Sequence, residues 1–120
     1  MPSWNTEIEV NADGPAEARW FLWSAVASNW LPEQIETATL LVSEVVSNAV
    51  RHGDHAAPID LSVALEGDAV RVAVRNHGPR FDPEVAVRQG DRFGLRLVSR
   101  LADHWGARPT ETGMEVWFRV

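Results

Sequence analysis

Apolar residues between positions 32 and 53 recur at the three- and four-residue spacing of a helix with one buried face. They are Ile35, Ala38, Leu41, Val42, Val45, Ala49 and Val50. Pro32 suits the first turn of this helix, and we expect Gly53 to end it by taking the left-handed backbone conformation. A helix over Ala16 to Asn29 is predicted to precede it, and a third over Gly94 to Ala102 to follow it.

Alternating apolar and polar residues predict five strands. These are Trp4 to Val10, Ile59 to Leu65, Val70 to Arg75, His104 to Thr110 and Met114 to Val120. The segment Asn76 to Asp91 is predicted to be irregular, and its length is typical of a functional lid or a disordered loop. Because helices and strands segregate, the pattern predicts the α+β class: a two-layer α/β sandwich whose mostly antiparallel sheet has helices on one face.

Composition narrows the function classes. The 120 residues carry a net charge of -6 and contain no cysteine, so we expect no direct binding to nucleic acid or to a membrane, and no thiol chemistry. No apolar run approaches the roughly 18 residues that span a bilayer. We expect residues 1–120 to form one cytoplasmic domain whose partners are proteins or small ligands.

A carboxylate and an amide stand four residues apart on the long predicted helix. Glu44 and Asn48 therefore share one helical face, at the border of the buried stripe. A general base and an oxygen ligand for a metal ion can be placed there. The alternative interpretation is an ordinary solvated face formed together with Ser47 and Arg51.

Three segments resemble, in order, the motifs of the GHKL superfamily of ATP-binding domains, and within it the bacterial anti-sigma-factor serine kinases of partner-switching systems. Glu44 to Gly53 resembles the N-box, Asn76 to Pro83 the first glycine box and Arg92 to Val98 the second. The resemblance implies a Bergerat-type, histidine kinase-like ATPase fold. It also implies a serine/threonine kinase that uses ATP and Mg²⁺ to phosphorylate an anti-anti-sigma partner, and so regulates transcription.

The same resemblance assigns roles to single residues. It implies that Glu44 is catalytic, by orienting or deprotonating the attacking hydroxyl, and that Asn48 is the Mg²⁺ ligand. The residues that it implies for nucleotide binding are Asn48, His52, Asn76, Gly78, Arg92, Gly94 and Leu95. For His52 a second interpretation is open, because a histidine at a helix end also caps carbonyl groups.

The chain departs from the family pattern around the implied adenine-binding site. Asn76 stands where relatives usually have an Asp that accepts a hydrogen bond from the adenine amino group, and Arg80 and Arg92 replace glycines. Near the last strand, Met114 and Glu115 stand where many relatives have a threonine. A weak ATP site is therefore one hypothesis. The other is a degenerate, non-catalytic module that sequesters a sigma factor or an antagonist protein.

The arginines of the implied lid have two interpretations. Arg80, Arg88, Arg92 and Arg96 either add charge-assisted contacts to a triphosphate or form a solvated surface.

Tryptophans also line one face of the first predicted helix. Trp20, Trp23 and Trp30 are interpreted first as core residues, because a two-layer domain buries one face of each helix. The alternative is a surface for a partner protein or for a homodimer, since tryptophan is enriched at binding hot spots.

Overall fold

The computed structural model describes residues 2–26, 32–55, 57–89 and 94–120. The helices are α1 (Gly14–Val26), α2 (Pro32–His52), α3 (Pro83–Arg88) and α4 (Leu95–Leu101). The strands are β1 (Ser3–Ile8), β2 (Ile59–Glu66), β3 (Ala69–His77), β4 (His104–Pro109) and β5 (Gly113–Arg119). No helix within these ranges is long and apolar enough to cross a membrane.

The five strands form one sheet in the order β1-β2-β3-β5-β4, and every neighbouring pair is antiparallel. Alternate residues of β3 are buried under the helices, as Val72 and Val74 show, whereas Arg71 and Arg75 lie on the opposite face. The predicted α+β sandwich with helices on one sheet face is therefore confirmed.

Helix α2 supplies the largest helical share of the core. Its buried residues are Ile35, Ala38, Leu41, Val42, Val45, Val46, Asn48 and Ala49, which confirms the predicted stripe except that Val50 is only partly buried. Each fully buried leucine or valine contributes roughly 1.5–3 kcal/mol from removal of its side chain from water. Asn48 is the one polar member of the set, so its burial requires hydrogen bonds.

The prediction that positions 76–91 are irregular was wrong in two places. Asn76 and His77 complete β3, and residues 83–88 form α3. Local capping explains the helix, because an oxygen of Asp82 accepts hydrogen bonds from the N–H groups of Glu84 at 2.9 Å and Val85 at 3.4 Å. Pro83 then occupies the first helical position, where its missing N–H costs nothing.

Gly53 does not end α2 in the way we predicted. The glycines with positive φ among the described residues are Gly67, Gly78 and Gly94, and Gly53 is not one of them. Its N–H donates to the carbonyl of Ala49 at 2.8 Å. A Cβ added there would lie 2.5 Å from that carbonyl oxygen, so lack of space, rather than a left-handed backbone, requires glycine.

The interpretation of the tryptophans of α1 as core residues was also wrong. Trp20 is 71% exposed and Trp23 49% exposed. Helix α1 instead buries Gly14, Ala18, Leu22 and Val26, which repeat every four residues along its other face. Trp30 lies outside the described residues.

Candidate functional site

Asn48 is held rigidly near the end of α2. Its side chain is buried, with the residue 1% exposed, and its amide nitrogen donates to the carbonyl of Glu44 at 2.9 Å. That bond fixes the orientation of the amide, so the oxygen Oδ1 points away from Glu44. Oδ1 accepts a hydrogen bond from the guanidinium of Arg51 at 2.6 Å. The amide oxygen is therefore presented to an exposed cation one turn further along the helix.

The turn before α4 packs directly on this part of α2. Gly94 has a φ of 71°, and a Cβ added there would lie 3.2 Å from both the amide nitrogen of Asn48 and the Cβ of Glu44. Both the backbone conformation and the close approach favour glycine. The second glycine box thus meets the predicted Glu44 and Asn48 pair. Leu95, which follows, is fully buried.

A small cavity lies beside this pair, between α2 and the sheet. Its lining residues are Val45, Ala49, Val74, Asn76, Phe81 and Val116. Val45 and Ala49 directly follow Glu44 and Asn48 in α2, so the cavity adjoins the Asn48 site. Its walls are apolar apart from one amide, but its volume is only about 10 Å³. A flat heteroaromatic ring would therefore enter it only after the walls move apart.

Asn76 supplies the polar group of this cavity. The residue is 8% exposed, and its amide nitrogen Nδ2 is buried without a hydrogen-bond partner. An unpartnered buried amide costs roughly 1–3 kcal/mol, so a ligand that bonded to it would recover part of that cost. The register places Met114 of β5 opposite Asn76, and Glu115 one residue later faces the other side of the sheet. Glu115 therefore takes no part in this cavity.

The first glycine box joins the ends of α2 and β3. The N–H of Asp54, just after α2, donates to the carbonyl of His77 at 2.6 Å. Gly78 has a φ of 150°, and a Cβ added to it would lie 3.0 Å from the Asp54 nitrogen. Gly78 thus permits a close backbone approach between the first glycine box and the end of α2. His52, the last residue of α2, is exposed near this junction.

The structure gives different surroundings to those predicted lid arginines that it describes. The guanidinium of Arg80 donates to the backbone carbonyls of Thr110 and Glu111 in the turn between β4 and β5. Arg88 and Arg96 are exposed on α3 and α4, and Arg92 lies outside the described residues. Arg80 is therefore engaged by the fold, which weakens its part of the triphosphate hypothesis.

The donor set of the site fits a metal ion that is shared with a ligand. Among the described residues, no group of three His, Asp or Glu side chains could hold a metal ion. Mg²⁺ is commonly bound through one or two protein oxygens together with phosphates and water. The amide oxygen of Asn48, with the carboxylate of Glu44 one turn away, matches that pattern.

Sequence reasoning gave Arg51 no role in the site and named it only in the alternative interpretation of a solvated face. Arg51 lies three residues after Asn48, and side chains at this spacing are neighbours on a helix. The spacing was thus the available signal, although it does not tell which neighbour Asn48 bonds.

Comparison with known proteins agrees with the fold. The sequence profile of the histidine kinase-like ATPase domain matches residues 14–120. A search of curated proteins found no match. The fold is similar to a crystal structure of the RsbU and RsbW domains of Rv1364c from Mycobacterium tuberculosis, with a TM-score of 0.78 and 21% sequence identity. The similarity covers 99% of this chain and 32% of that one. At such identity, the likeness shows a shared fold.

Proposed function

This chain belongs to the histidine kinase-like ATPase family, and on that premise we propose that it binds ATP together with Mg²⁺. The observation that carries the proposal is the meeting of Glu44, Asn48 and Gly94 next to the apolar cavity that contains Asn76. The phosphate chain of the ligand would lie beside Asn48, and its adenine base would enter the Asn76 cavity, which must widen to admit it.

Each of the three residues has a separate task at the phosphate end. Asn48 offers its amide oxygen to the metal ion, and Gly94 lets the backbone before α4 approach the phosphates. Glu44 lies one turn before Asn48, where its carboxylate would accept the proton of an attacking hydroxyl. When bound, Mg²⁺ and ATP supply the transferable phosphoryl group and neutralise its charge.

The acceptor of the phosphoryl group in this proposal is a serine or threonine of an anti-anti-sigma protein, and the chain acts as an anti-sigma regulator in the cytoplasm. Support comes from the family resemblance and from the fold shared with a structure that contains an RsbW domain. A protein partner also accounts for the exposed apolar side chains of Trp20, Trp23 and Leu40. A homodimer through the same patch is the alternative use of these side chains.

A non-catalytic binding module is the second candidate function. It is favoured by Asn76, which cannot offer the charged acceptor that relatives use for adenine, and by the engagement of Arg80 with the turn between β4 and β5. Such a module would sequester a sigma factor or an antagonist protein through surface contacts alone.

Calorimetric titration with a non-hydrolysable ATP analogue tests the proposal. The parent protein should bind the analogue more tightly in magnesium than in chelator. Asn48→Ala should reduce binding in magnesium by about tenfold or more, as expected for a weakened metal site, and change binding in chelator far less. Asn5→Ala, on exposed β1, is the matched control. Equal affinities of Asn48→Ala and the parent in both buffers would remove Asn48 from the site.

A further inference from the structure

Arg51 is hydrogen-bonded to the oxygen atom that the proposed metal site requires. Its guanidinium donates to Oδ1 of Asn48 at 2.6 Å, a short distance typical of a charge-assisted hydrogen bond. The guanidinium is therefore a resident cation at the position where a metal ion would bind the amide oxygen.

Asn48 has no other oxygen or orientation to offer. Its amide nitrogen is committed to the carbonyl of Glu44 at 2.9 Å, and Gly94 packs against that nitrogen. Rotation of the amide would break the bond to Glu44 and turn the oxygen toward a carbonyl. A metal ion at Oδ1 would therefore lie close to the guanidinium of Arg51, and two cations at one neutral oxygen repel each other.

Among the described residues, Asn48 is the hydrogen-bond partner that the structure gives the guanidinium of Arg51. Within the described part of the chain, no carboxylate forms an ion pair with Arg51. The side chain is exposed at the end of α2, next to the proposed phosphate end of the site. A guanidinium presents paired N–H donors that match phosphate oxygens, so a bound nucleotide supplies the missing partner.

We infer that Arg51 is an exchangeable positioning residue, which bonds Asn48 while the metal is absent and moves to a nucleotide phosphate when the metal takes the amide oxygen. This inference rests on the proposed nucleotide function. It means that metal and nucleotide binding favour each other, since the metal ion releases the group that then holds the phosphate.

The experiment measures two affinities of Arg51→Met. Mn²⁺ binding to the nucleotide-free protein, followed by electron paramagnetic resonance, should strengthen by about threefold or more because the metal no longer displaces a hydrogen-bonded cation. Binding of the non-hydrolysable ATP analogue in saturating magnesium should weaken by about tenfold because a charge-assisted phosphate contact is lost. These opposite shifts separate competition from general damage to the site.

Three further variants make the result specific. Arg51→Gln, which keeps a donor but no charge, should shift both affinities in the same directions and serves if Arg51→Met folds poorly. Arg100→Met removes an equal charge from the exposed end of α4 and should match the parent. In an Asn48→Ala background, Arg51→Met should leave Mn²⁺ binding unchanged, because the contested oxygen is gone.

Two outcomes overturn the inference in different ways. If the parent binds the analogue with magnesium but Arg51→Met leaves both affinities unchanged or weakens both, Arg51 does not compete with the metal and only the inference fails. If the parent binds neither Mn²⁺ nor the analogue, the proposed nucleotide function fails and the inference fails with it.

Discussion

Two groups of buried polar side chains, one on each side of the sheet, differ in how completely they are hydrogen-bonded. On the face without helices, Glu115 is 4% exposed and accepts hydrogen bonds from Arg75 at 2.6 Å and Arg108 at 3.0 Å. On the face covered by helices, Nδ2 of Asn76 has no partner, and Oδ1 of Asn48 is bonded by an exposed arginine. The Glu115 carboxylate thus has both of its partners within the fold, whereas the two amides have bonds still to make or to exchange.

Electrostatics sharpen this contrast. Burial alone would raise the pKa of Glu115, but the hydrogen bond from Arg75 and the charges of Arg108 and Arg75 hold the pKa below its ordinary value. The bond to Glu115 in turn raises the pKa of Arg75. On the same face, the guanidinium of Arg71 lies over the ring of Trp117, 4.3 Å from its centre. We interpret the cluster of Glu115, Arg75 and Arg108 as structural because its charges already pair with one another.

The largest expected effect comes from removing Glu44, the proposed general base on the side of the sheet that the helices cover. Glu44→Ala should keep magnesium-dependent binding of ATP but lose phosphoryl transfer by roughly 100-fold or more, the range expected for a general base. Transfer of labelled phosphate to anti-anti-sigma-like proteins is the measurement, and Glu33→Ala in the first turn of α2 is the control. If the parent labels none of these proteins, the kinase hypothesis is wrong and the binding-module hypothesis replaces it.

The next largest effect comes from removing the charge of Glu115 on the face of the sheet without helices. Glu115→Gln should lower the free energy of unfolding at neutral pH by about 1–2 kcal/mol, because bonds to charged groups are lost and the exposed arginines limit their worth. Since the folded pKa of Glu115 is depressed below 4.5, its contribution is present above that pH and lost as pH falls through the folded pKa. Urea unfolding of parent and variant should therefore converge in acid.

Nucleotide affinity should not follow this change in stability. Glu115→Gln should bind the ATP analogue like the parent, because Glu115 faces away from the Asn76 cavity. A loss of affinity comparable to that of Asn48→Ala would contradict the separation of the structural Glu115 cluster from the proposed nucleotide site.

The sequence predicted best what local periodicity determines. Helical spacing was sufficient to locate α2 and to place Glu44 and Asn48 on one turn of it. The helix α3 had a local signal as well, in Asp82 followed by Pro83, but the surrounding glycines, prolines and charges suggested a loop. That error came from weighing composition above capping chemistry.

Other features depend on packing that no local pattern contains. The first helix carries a tryptophan stripe and a stripe of Ala18, Leu22 and Val26, and the latter is buried. Either stripe fits a helix, so the choice depends on the space that α2 and the sheet leave. The unpartnered nitrogen of Asn76 likewise depends on how α2 lies over β3, and the bond from Arg51 depends on a side-chain rotamer.

The smallest expected effect concerns Asn76, whose amide nitrogen has no hydrogen-bond partner. Asn76→Asp should strengthen ATP binding several-fold, because a charged acceptor for the adenine amino group adds about 1 kcal/mol over a neutral one. Inosine triphosphate carries an acceptor oxygen in place of that amino group, so its affinity should fall in the same variant. The ratio of the two affinities is the measurement, since a general change in the site would move both alike.

The ratio also reports on the amide of the parent. An asparagine can accept through its oxygen or donate through its nitrogen after rotation of the amide, whereas an ionised aspartate only accepts. The parent should therefore distinguish ATP from inosine triphosphate less well than Asn76→Asp does. An unchanged ratio would mean that no nucleotide base contacts residue 76. The unpartnered nitrogen of Asn76 would then only destabilise the folded protein and serve no binding role. Because the same residue lines the cavity beside Val45 and Ala49, that result would also exclude this cavity as the adenine-binding site.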